Sequence, residues 1–130
     1  MLSLELKLLV WSVALAFAQC LVAVVGALLQ VGLPTLAGNR EPTPEISGWA
    51  GRAQRAHYNM LESLVLFAIL VLTARAAGVS NSTTLLGAQL FFWGRVAHAI
   101  FYIAGIAWLR TAAWGVSVLG LILLFVALVT

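Results

Sequence analysis

The stretch Gly51-Arg52-Ala53-Gln54-Arg55-Ala56-His57-Tyr58-Asn59-Met60-Leu61-Glu62 runs straight into the apolar residues Leu64 to Leu72. Read as one segment from Trp49 to Ala77, it exceeds the ~20 residues needed to cross a bilayer. Arg52, Arg55, Asn59 and Glu62 follow one another at intervals of three, four and three. At 100° per residue they share roughly an 80° arc, one face of a helix. An apolar helix with a single charged face has one economical use, which is to span lipid with that face turned inward.

The rest of the chain demands the same solvent. Of 130 residues, 63% are hydrophobic and 8% charged, and mean hydropathy is +1.07. A soluble domain carries about 25% charged residues, so this chain cannot clothe itself for water. The net charge of +3 comes from seven Lys/Arg placed one at a time. No basic run follows a phosphate backbone, and no nucleic-acid partner is expected. The single cysteine, Cys20, lies in an apolar run and reads as a small buried hydrophobe. No second His or carboxylate stands at metal-ligand spacing, so no metal site is expected.

Three more apolar segments can be read, about 8–33, 84–108 and 111–129. Helices satisfy their own backbone hydrogen bonds in hydrocarbon. The expected fold is therefore all-α, an integral membrane four-helix bundle of antiparallel, up-down topology forming one domain. The first segment contains Ala16-Phe17-Ala18, which resembles a cleavage site. Its apolar run continues to Leu29, and Glu5 offsets Lys7 in the leader, so a retained helix is the better reading. Pro34, Pro42 and Pro44 with Gly38 and Asn39 make 34–47 the one long loop. Asn81 or Ser82 can cap the third span, and short links make successive helices antiparallel neighbours. Arg40, Arg52, Arg55 and Arg110 fall on the loop side, Lys7 and Arg75 on the other. The positive-inside rule then puts the Pro-rich loop in the cytoplasm and both termini outside.

On the third segment Arg95, His98 and Tyr102 repeat the three-and-four spacing. With the second and third helices antiparallel in one register, Glu62 faces Arg95, Asn59 faces His98 and Arg55 faces Tyr102. Glu62 and Arg95 would then meet some 18 Å deep, counting about 1.5 Å per residue. An isolated charge there costs at least ~3 kcal/mol. Such a pair can be internal glue alone, and His98 alone reads as a packing histidine. Arg52 and Arg55, however, find no acid of their own on the stripe. Arg52 can reach lipid phosphates, whereas a surplus of buried arginine suits an anionic ligand such as a carboxylate. His57 points off the stripe and, with Tyr58, suits an interface.

The quoted stretch resembles the second-helix motif, Arg-x-x-Arg-Ala-x-x-Asn-x-x-Glu, of the membrane-associated proteins in eicosanoid and glutathione metabolism, the MAPEG family. Gly94-Arg95-Val96-Ala97-His98 followed by Tyr102 looks like the third helix of its microsomal prostaglandin E synthase and glutathione transferase branch. The resemblance spans about residues 51 to 111. It implies a homotrimer that holds glutathione between subunits near the cytoplasmic side. Arg55, Asn59 and Glu62 of one subunit would bind it with His98 and Tyr102 of another, Arg95 belonging to the same set. Arg110 falls where the family places the arginine that stabilises the thiolate, and Thr111 replaces a serine able to donate to the sulfur. The second substrate would be lipophilic, reached from the surrounding membrane lipids. Two departures bear on this. Gln30-Val31-Gly32-Leu33-Pro34 lacks the arginine that eicosanoid enzymes carry at the end of the first helix, and the turn from Tyr102 to Arg110 is one residue shorter. The leading expectation is a glutathione-dependent transferase or peroxidase acting on lipophilic electrophiles. The alternative is a non-catalytic lipid- or partner-binding member. The small chain and short loops suggest a bacterial inner membrane, with periplasmic termini.

Overall fold

The computed structural model describes Met1–Thr130 as five helices and no strand: α1 (Leu4–Val31), α2 (Leu33–Ala37), α3 (Gly48–Ala77), α4 (Ser82–Ala104) and α5 (Ala107–Val129). Three of them, α1, α3 and α5, are long and apolar enough to cross a membrane. The outer surface is built from large apolar side chains, among them Trp11, Phe17, Val65, Ile69, Ile100 and Phe125. In water such a coat would drive aggregation; in lipid it is the expected exterior. This is an integral membrane protein.

Each helix end has a local cause. Ser3 caps α1 by accepting from the Leu6 N–H, and Gly32, at φ 81°, ends it. Pro34 then does not merely break the chain. It stands in the first turn of α2, where its missing N–H costs nothing, so the expected loop contains a short helix. Gly78 and Gly105 take the left-handed conformation at the ends of α3 and α4. Val79 N–H reaches Ala74 O at 2.9 Å, and Ile106 N–H reaches Phe101 O at 2.9 Å, the six-to-one bond of a Schellman turn. The second of these turns moves a boundary. The apolar pattern ran unbroken to Trp108, but Gly105 stops α4 at Ala104. Trp108, Arg110 and Thr111 consequently ride on the first turn of α5. Asn81 and Thr84 form a reciprocal capping box at the start of α4.

Consecutive long helices run antiparallel. Gly26 of α1 abuts Ala50 at the start of α3, while the other end of α1 is held by Ser80 Oγ donating to Glu5 Oε2 at 3.1 Å. Phe67 of α3 stacks on Phe91 of α4 with centroids 4.0 Å apart, at the centre of a core that includes Leu8, Met60 and Leu124. The closest seam joins α4 to α5. A Cβ added to Gly94 would sit 2.9 Å from Ser117 N, and one added to Gly120 would sit 2.5 Å from Gly87 O. Small residues let two backbones touch where lipid offers no hydrophobic drive to squeeze helices together. That seam fixes α5, and with it Arg110, against α4.

Candidate functional site

The polar arc of α3 divides into two halves seven residues apart. Arg52 and Asn59 are half-buried, and Arg55 and Glu62 are exposed on the surface of the chain. Three residues turn a helix through 300°, so Glu62 lies about 60° round from Asn59, too far to look at α4 with it. The expected pairing of Glu62 with Arg95 is therefore not made within the chain. Arg95 is 1% exposed, and its Nη2 donates instead to Asn59 Oδ1 at 2.7 Å. Asn59 thus faces Arg95 rather than His98, a register shift of almost one turn. Nε and Nη1 of Arg95 are buried without a partner. Arg52 does not reach for lipid phosphates with its Nε, which donates to Ile103 O at 3.0 Å. That carbonyl is one of the orphans at the C-terminal end of α4, where a cation is favoured.

Beyond Asn59 the side chains converge. His98, 3% exposed, meets Tyr102 edge-on with ring centroids 5.4 Å apart. The guanidinium carbon of Arg110 lies 4.2 Å over the Tyr102 ring, a cation–π contact that holds the arginine inward. Thr111 Oγ donates to Ala107 O at 3.0 Å. A cavity of about 230 Å³ is lined by Asn59, His98, Tyr102, Arg110, Thr111 and Trp114. Five of the eight residues singled out by sequence thus share one cavity. Arg95 stands behind it, bound to Asn59, while Arg55 and Glu62 stand outside it along the α3 edge.

Sequence reading missed three residues. Trp114 follows Thr111 by three and lines the same cavity. Gln19 is buried in α1 with both amide atoms unpartnered, and Glu5 is buried beside Ser80. Glu5, Ser12 and Gln19 recur every seven residues, and all three are buried, so the spacing carried the signal. His57, expected at an interface, lines a different cavity together with Tyr58.

This architecture draws arginine, asparagine, histidine and tyrosine together inside an apolar shell, where lipid makes such side chains costly to place. The model of the MAPEG family matches residues 8–130. The chain is a member of the MAPEG family, which includes glutathione transferases and related enzymes. No curated protein and no solved structure matches it.

Proposed function

We propose that the chain is a membrane-bound, glutathione-dependent transferase or peroxidase acting on lipophilic electrophiles. The observation that carries this reading is the convergence of Asn59, His98, Tyr102, Arg110 and Thr111 on one cavity. Glutathione offers two carboxylates, an ammonium and a thiol. Arg110, held over Tyr102, supplies positive charge where a thiolate would form. A free thiol has a pKa near 8.5, and a neighbouring cation raises its ionised fraction at neutral pH. The Tyr102 and Thr111 hydroxyls add donors. Thr111 is spent on a backbone carbonyl and would have to rotate to serve.

Exposure of Arg55 and Glu62 favours assembly. A carboxylate and a guanidinium facing hydrocarbon each cost several kcal/mol, about 3 by insertion scales, and a neighbouring copy removes that cost. In the proposed homotrimer Glu62 accepts from the ammonium of glutathione and Arg55 meets a carboxylate, while the next subunit presents His98 and Tyr102. In this reading α4 is the fourth span of a four-helix bundle, its polar side chains covered by α1, α3 and α5. The protein then resides in a bacterial inner membrane with both termini periplasmic.

One observation favours a second reading, that of a non-catalytic binding protein. Gly32, at φ 81°, ends α1 where eicosanoid enzymes present arginine. Calorimetric titration of detergent-solubilised protein with glutathione separates the two. Saturable binding that is lost in Arg55→Ala is the expected result. Absence of heat at millimolar glutathione would put the binding-protein reading first.

A further inference from the structure

A second cavity, of about 500 Å³, shares no residue with the one described above. It lies between α1 and α3 beneath α2 and the chain that follows it. Cys20, Val24 and Leu28 form one wall, Leu33, Leu36 and Ile46 another. Its polar features are gathered from the loop and from α3. Arg40 supplies a guanidinium, with Gln54, His57 and Tyr58 across from it. The Arg40 Nε donates to Leu36 O at 2.8 Å, which fixes the plane of the group and leaves the two terminal nitrogens free for a bidentate acceptor. Gln54 Nε2 donates to the Tyr58 hydroxyl at 3.2 Å, so that hydroxyl keeps its own proton to give. The Nδ1 of His57 is enclosed with no partner.

Arg40 also sits in an unfavourable backbone conformation, at φ 56°, the one non-glycine residue with positive φ. A β-carbon is penalised there. Strained positions persist where surroundings or a ligand over-determine them. We propose that this cavity binds a single-chain amphiphile with a carboxylate head, a long-chain free fatty acid. Its head pairs with Arg40 and accepts from Tyr58, and its tail runs between α1 and α3. The volume lies in the range of single small-molecule pockets, and one guanidinium matches one carboxylate, which favours a fatty acid over a two-chain phospholipid.

The test is equilibrium binding of tritiated oleate to the full chain in nanodiscs, with empty nanodiscs as reference. Saturable binding of one oleate per chain is expected. Arg40→Gln, on an exposed loop, should weaken it about tenfold, while binding of oleyl alcohol stays unchanged. Ala27→Trp, which fills the wall, should abolish both. Glutathione plays no part in the measurement, so its outcome is independent of the catalytic reading. Uptake equal to that of empty nanodiscs, or equal oleate affinity in Arg40→Gln, overturns the proposal. So does native mass spectrometry in which a phospholipid occupies the cavity and oleate cannot displace it.

Discussion

The seam between α4 and α5 and the seam between α3 and α4 join helices by opposite means. The first is made of glycines and backbone. Gly87, Gly94 and Gly120 bring main chains into van der Waals contact, and a β-carbon at any of them meets atoms at 3.0 Å or less. The second is made of long side chains. Arg95 crosses to Asn59, Arg52 crosses to Ile103 O, and Phe67 stacks on Phe91. One seam has no tolerance for volume, and the other depends on polar partners. The candidate cavity opens where the two meet, with walls from α3, α4 and α5.

The largest effect should come from the glycine seam. Gly120→Val is expected to destabilise the protein by about 3 kcal/mol or more, as overpacking against a backbone cannot relax by rotamer change. Gly115→Ala, where an added β-carbon meets nothing, should leave thermal unfolding in detergent within about 0.5 kcal/mol. Equal behaviour of the two variants would erase the distinction between a tight and a loose face of α5.

On the polar seam, Asn59→Leu removes the acceptor of a buried guanidinium and should cost about 3 kcal/mol. Adding Arg95→Met to it removes the stranded charge, and most of the loss should return. A double variant as unstable as the sum of the singles would mean that the 2.7 Å contact contributes no coupling.

Next in size, Glu62→Gln should spare helix content while lowering glutathione affinity about tenfold and weakening assembly, read by calorimetry and by light scattering. Unchanged values in both would remove Glu62 from the ligand and from the interface. The smallest effect on stability belongs to Arg110→Ala, about 1 kcal/mol from the lost contact with Tyr102. Its signature should be kinetic, with the pH profile of glutathione conjugation displaced to higher pH. A profile identical to that of the parent protein would make Arg110 a structural residue.

The helices and the polar stripes along them were legible because period and hydropathy are local properties. The helix ends at Gly78 and the loop near Pro34 could be read to within a few residues. The rest depended on neighbours. Asn59 and Glu62 stand on the same arc, and periodicity alone could not say which of them α4 would cover. The third helix seemed to continue to Trp108, because glycine at 105 is compatible with a helix until the Schellman bonds to Phe101 and Tyr102 form. Gln19 was hidden by its apolar surroundings, and only the seven-residue interval from Ser12 marked it.

The connections also set which parts of the chain can shift against one another. Four residues link α3 to α4 and two link α4 to α5, each link clamped by its left-handed glycine, so these three helices have no slack. The tether from Val31 to Gly48 is long by comparison, and α1 makes no contact with α5. Breathing motions of the chain therefore concentrate at the half of α1 nearest that tether. Spin labels on Val25 and Leu119 should report a broader distance distribution than labels on Leu86 and Leu119.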